Sequence, residues 1–296
     1  MKKVFYFLQA VCLLVAEKII LLMGLRFSSF VFGNLFVLFG WMTKPSFLAL
    51  KNLKLALPNL TKKERIKIMF KMWNHLGRDV AEFVFFTNKP MKNIEKYFYM
   101  DETIKQKFLD IKNYKEGQMI LMAHFGNWEI FSQIANLYKM PFTIFYRNLN
   151  NPFASKFILK HRKATGFEFI EKKEPGAIVK LLKSIKMGKK VMIFLDQRDD
   201  NGIVVPFFNI LSKTSSSLGV FTLKYNVKSY SVAAFRRGNS CFFDIKIDEF
   251  KPIKTGNIEE DIIATTIKMN EKIEEWIKEA PEQWFCWIHN RWKGNR

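Results

Sequence analysis

The segment His124-Phe125-Gly126-Asn127-Trp128-Glu129 places an imidazole and a carboxylate five residues apart. Such a pair can do proton-transfer chemistry, with the imidazole as general base and the carboxylate as the group that orients it. Gln118 to Ala123 is an apolar run that reads as a buried strand, and Phe131, Ile134, Ala135 and Tyr138 then recur at helical spacing. Asn127 suits the N-cap of that helix, which puts Glu129 in its first turn. The two side chains are therefore expected to meet across a strand-to-helix turn. An acid in a first helical turn is also favoured by the helix dipole, by about 0.3–1 kcal/mol, without any catalytic role. Spacing alone leaves that plainer reading open. Scarcity favours the chemical one slightly, because the only histidines are His75, His124, His161 and His289. His75 falls in a predicted helix and His161 in a basic stretch.

The surrounding elements must position these groups. From Gln118 onward, short β-rich runs (119–123, 142–146, 168–170, 191–195, 231–235, 241–247) alternate with helical ones (128–138, 153–163, 177–186, 216–224, 259–278). This alternation predicts an α/β fold, a mixed central sheet flanked by helices. Ligands in such sheets meet the loops at strand C-terminal ends, where His124 and Asp196 both fall. Upstream, Thr61-Lys62-Lys63-Glu64 is a capping box opening a long helix to about Phe85, and Pro45 to Pro58 reads as a basic connector.

Other residues invite weaker readings. Tyr146-Arg147 closes one strand, and Asp196-Gln197-Arg198-Asp199-Asp200 closes another. The acidic cluster reads as loop solvation before it reads as a cation site. Arg162, on a basic helix, reads by itself as a surface cation. The tail from Pro281 to Lys293 interleaves aromatic and basic residues. It fits a nucleic-acid stacking surface, an interfacial belt or a packed strand. Three cysteines and four histidines form no zinc signature, and no serine elbow, P-loop or dinucleotide fingerprint is present, so neither metal nor cofactor is expected.

Composition indicates a partner class. Lys+Arg number 48 against 27 Asp+Glu, a net charge of +21, which calls for an anionic partner. Val4 to Leu25 is apolar except for Gln9, Glu17 and Lys18, and Phe27 to Thr43 is a second uncharged stretch. The first run has the length of a bilayer span, about 20 residues. Glu17 and Lys18 would be costly at mid-depth unless they pair or face protein. Without a small-residue cleavage site, a retained anchor is expected over residues 1–43, spanning or interfacial, with one catalytic domain over 44–296.

Taken in order, these blocks resemble the late acyltransferases of lipid A biosynthesis, lauroyl- and myristoyl-transferring enzymes that share a His-x4-Asp/Glu motif. The resemblance covers most of the chain: Lys51-Asn52-Leu53 to Pro58, His124–Glu129, Tyr146-Arg147 with Asn151-Pro152, Arg162 with Gly166, Asp196-Gln197 with Pro206-Phe207-Phe208, and Pro281-Glu282-Gln283 through Lys293. It departs from the pattern at Asn209, where a glycine is usual, at Cys286, an extra residue, and at Asn290. The resemblance implies His124, Glu129, Arg162 and Asp196 as catalytic residues. Glu129 would orient His124, Arg162 (or else Arg147) would stabilise an oxyanion, and Asp196 would orient a base or an arginine. Asn127, Tyr146, Arg147, Gln197 and Arg291 are the expected substrate-binding residues. It also implies an acyl carrier protein as donor, an anionic, usually Kdo-bearing lipid A precursor as acceptor, and a place at the cytoplasmic side of the bacterial inner membrane, with no nucleic acid. The competing readings are acylation of another membrane lipid and a non-enzymatic, basic, membrane-tethered binding module.

Overall fold

The structure is a computed structural model that describes residues 2–88, 93–146, 151–163 and 165–294. Three helices lead the chain: α1 (Lys2–Met23), α2 (Leu25–Gly40) and α3 (Lys44–Ala56). The last replaces the expected connector. Pro45 sits in its first turn, where a missing N–H is harmless, and Ala49 and Leu53 are buried at helical spacing. The long α4 (Lys62–Asn88) opens on the predicted capping box: Thr61 N donates to Glu64 Oε2 at 2.7 Å and Glu64 N to Thr61 Oγ1 at 3.3 Å. Helices α2 and α4 pack so closely that a Cβ on Gly77 would lie 2.3 Å from the Phe32 carbonyl oxygen.

From Gln118 the body alternates as predicted, and an unforeseen strand and helix precede it. In chain order it comprises β1 (Phe98–Tyr99), α5 (Glu102–Asn113), β2 (Gln118–Met122), α6 (Ile130–Leu137), β3 (Phe142–Tyr146), α7 (Pro152–Lys163), β4 (Glu168–Glu171), α8 (Ala177–Lys186) and β5 (Lys190–Phe194). The hairpin β6 (Ile203–Phe207) and β7 (Ile210–Thr214) follows, then α9 (Ser217–Lys224), β8 (Lys228–Arg236), β9 (Phe243–Glu249) and α10 (Ile258–Glu279). A seven-stranded sheet runs β1-β9-β8-β2-β5-β3-β4. From β8 to β4 neighbouring strands are parallel, whereas β9 is antiparallel to β8. Central strand β2 is buried along its length, with Met119 and Leu121 in one core and Ile120 and Met122 in the other, so helices cover both faces. The hairpin, absent from the sequence expectation, turns on Phe208 and Asn209 at φ 53° and 59°. A two-residue hairpin loop favours positive φ, which Asn tolerates well; hence Asn209 serves where a glycine is usual.

Among the described residues no single helix is long and apolar enough to cross a membrane, although α2 and α3, bent by 89°, meet that test as a pair. Helix α1 lies against α7, with Glu17 Oε1 3.5 Å from His161 Nε2 and Phe7 edge-on to Phe153. Glu17 thus faces protein.

Candidate active site

Register assembles the site. Met122 and Phe194, the last residues of β2 and β5, are paired across parallel strands. His124 and Asp196 each lie two residues beyond that pair and emerge side by side. His124 Nδ1 lies 2.8 Å from Asp196 Oδ1, and the His124 backbone N–H donates to Asp196 Oδ2 at 3.0 Å. Trp284 Nε1 donates to the same Oδ2 at 2.8 Å. Burial would raise the Asp196 pKa; the neighbouring imidazole and these hydrogen bonds outweigh it and hold the carboxyl at about 2. The imidazole is walled by Phe194, Trp128 and Phe285, with ring centroids 4.7, 5.3 and 5.3 Å away.

The carboxylate on His124 is therefore Asp196, not Glu129. Glu129 sits at the cap of α6, and its Oε1 accepts from Arg162 at 2.5 Å and from Trp128 Nε1 at 3.1 Å. A turn separates His124 from Glu129, and it carries the glutamate towards α7 and its arginine. Spacing could not foresee this, because the partner strand that delivers Asp196 is 72 residues away in sequence. The arrangement is a His–Asp pair able to accept a proton through Nε2, joined through Trp128 to an Arg–Glu pair able to face an anion.

The sequence profile of the bacterial lipid A biosynthesis acyltransferases matches residues 2–294. The chain belongs to this family. It is 21% identical over 273 residues to a lipid A biosynthesis acyltransferase of Haemophilus influenzae, covering 86% of this chain and 82% of that protein. It is 26% identical over 251 residues to the lipid A biosynthesis palmitoleoyltransferase of Escherichia coli, covering 83% and 78%. The same figures apply to a lipid A biosynthesis acyltransferase of Shigella flexneri.

In this acyltransferase the remaining expected site residues divide. Tyr146 ends β3, beside β5 on the same sheet edge, and is partly exposed. Gln197 is partly exposed, and its Nε2 lies 3.5 Å from Cys286 Sγ. Arg147 lies outside the described residues. Two others have no surface to offer a substrate. Asn127 is fully buried, its Nδ2 donating to Glu82 Oε2 at 2.6 Å and its Oδ1 accepting from Glu129 N at 3.1 Å. Arg291 is also buried; it bonds Ser212, Lys213 O and Thr214, and burial lowers its pKa to about 10. The tail that carries it forms two short 3₁₀ turns rather than a strand. Trp284, Trp287 and Trp292 are buried in the core, so they cannot serve as a stacking surface or an interfacial belt. The loop acids pair with cations, Asp199 with Lys172 at 2.6 Å and Asp200 with Arg198 at 2.8 Å. Ligating atoms of His124, Asp196 and Cys286 lie within 4.8 Å of one another, and burial keeps that thiol's pKa high.

Sequence reading missed Glu82 and Arg236, and it named Gln283 and Trp284 only as part of the tail, without a role at the site. Gln283 receives Gly126 N on its backbone oxygen at 2.9 Å, and its amide brackets Arg236 N and O at 2.7 and 3.0 Å. A usable signal existed at Glu82, the one acid in the otherwise apolar run from Val80 to Phe86, and at Asp79 just before it.

Proposed function

We propose that the protein transfers a lauroyl- or myristoyl-type chain from an acyl-carrier-protein thioester to a hydroxyl of an anionic, Kdo-bearing lipid A precursor, at the cytoplasmic face of the bacterial inner membrane. The His124–Asp196 hydrogen bond supports this reading most directly. With Nδ1 committed to Asp196, Nε2 is the nitrogen left for the acceptor hydroxyl. It takes the hydroxyl proton as the oxygen attacks the thioester carbonyl. Asp196, ionised, stabilises the imidazolium that forms. The tetrahedral oxyanion collapses, the C–S bond breaks, and the thiolate recovers the proton from His124. Glu129 holds Arg162, whose remaining N–H groups are the donors for the oxyanion or for a substrate phosphate. No covalent acyl-enzyme is needed.

The net charge of +21 suits an acidic carrier and a phosphorylated acceptor. Exposed Leu14, Leu22, Phe27, Phe30, Leu38 and Phe39 on α1 and α2 supply an apolar face for the bilayer. The test is the purified chain with carrier thioesters of several chain lengths, because the Escherichia coli relative is named for a palmitoleoyl group. Lipid A precursor and lysophospholipid acceptors are offered side by side. His124→Ala is expected to lose at least about 100-fold in rate. Near-normal turnover by it would sink the mechanism, and a preference for lysophospholipid would sink the acceptor.

A further inference from the structure

We propose that Glu82 is a positioning residue for acyl transfer, holding the catalytic loop through Asn127. The inference rests on the acyl-transfer reading above. Glu82 is fully buried on α4. Its Oε1 accepts from Ser29 Oγ of α2 at 2.8 Å and from Arg236 Nη1 of β8 at 2.6 Å. Its Oε2 accepts from Arg236 Nη2 at 2.8 Å and from Asn127 Nδ2 at 2.6 Å. Four donors fill the acceptor capacity of one carboxylate. Arg236 is held in turn by Asp79 and by Ser240 O. One carboxylate therefore joins α2, α4, β8 and the segment between His124 and Glu129.

The link to the chemistry is short. Asn127 Oδ1 accepts from the Glu129 backbone N–H, and Glu129 grips Arg162. On the other side of Asn127, Gly126 N is held by Gln283 O. Asn127 thus sets where the loop leaves β2 and where α6 begins, and Glu82 sets Asn127. A buried ion pair contributes little net stability compared with well-packed apolar residues of the same volume, so burial energy alone is a weak reason for this cluster. Orientation is a sufficient one, since misplacing catalytic groups by about 1 Å can cost roughly 100-fold in rate.

The experiment exchanges the two groups. N127D sets a carboxylate against Glu82, and E82Q sets an amide against Arg236 and Asn127. The double variant E82Q/N127D restores an amide donor facing a carboxylate and conserves the cluster's net charge. With the full chain, carrier thioester and lipid A precursor, each single is expected to lower kcat at least about tenfold with KM within about threefold. The double should recover at least about threefold over the worse single, short of wild type because E82Q offers Arg236 Nη2 an N–H where Oε2 accepted. A double no better than the worse single, or a single with normal kcat, would overturn the proposal. Thermal melting of all four proteins reads the same coupling without turnover. If wild type fails to transfer acyl groups, the functional reading falls while the melting cycle still reports the bond. A double that regains neither stability nor kcat counts against Glu82.

Discussion

At the scale of single residues, the site separates into two carboxylate partnerships, His124 with Asp196 and Glu129 with Arg162. Mutant cycles should reproduce that division. D196N should cost about 100-fold or more in kcat/KM, the range of a disabled general base. E129A and R162A should give similar losses, with the double little worse than either, because removing one partner already removes the pair. Equal coupling of Glu129 to His124 and to Arg162 would restore the adjacent-acid mechanism. Asp196 also predicts a pH effect. Its folded pKa, about 2, lies below the usual value of 3.8. The resulting stabilisation, about 2 kcal/mol, is present above pH 4 and is lost as pH falls towards 2. Melting temperatures followed from pH 5 to about pH 2 should show that slope in wild type and a shallower one in D196N.

At the scale of elements, the strand-to-helix turn depends on a close backbone approach. Gly126 has φ 54°, and a Cβ there would lie 1.8 Å from the Ala234 carbonyl oxygen of β8. G126A must push β8 away or unwind the turn. A cost above about 3 kcal/mol is expected, visible as a large fall in melting temperature together with lost activity. Retention of both would show that β8 is not the wall the turn rests on. The tail works at the same scale. Trp284 donates to Asp196, and Phe285 N donates to His124 O at 3.3 Å, so the final block of the chain completes a site begun far upstream.

Across the whole molecule, the net charge of +21 and the exposed apolar side chains of α1 and α2 make the proposed membrane placement testable. The exposed side chains of α1 and α2 are separable from the site, since α2 meets the body through Ser29, Gly33 and their neighbours on the opposite side. L38E/F39D is expected to weaken sedimentation with anionic vesicles by about tenfold or more while leaving the melting temperature within a few degrees, because only apolar–lipid contact is lost. Raising salt should weaken vesicle binding further through the basic surface. Unchanged binding by the double variant would count against the proposed membrane contact through α2.

Much of this was legible in one dimension. Strand and helix periodicity is local, so the α/β alternation and the capping box at Thr61 could be read directly. The hairpin at Phe208-Asn209 and helix α3 escaped, because Pro and Lys in a short amphipathic stretch look like a connector. The ordered blocks also carried the family. What they could not carry is pairing between distant segments. Sheet order puts β5, not α6, against β2, so His124 meets Asp196 and leaves Glu129 to Arg162. Burial likewise turned Asn127, Arg291 and the tail tryptophans inward, where their hydrogen bonds are made to the protein. Local chemistry chose which residues are able to react; strand register and packing chose which of them touch.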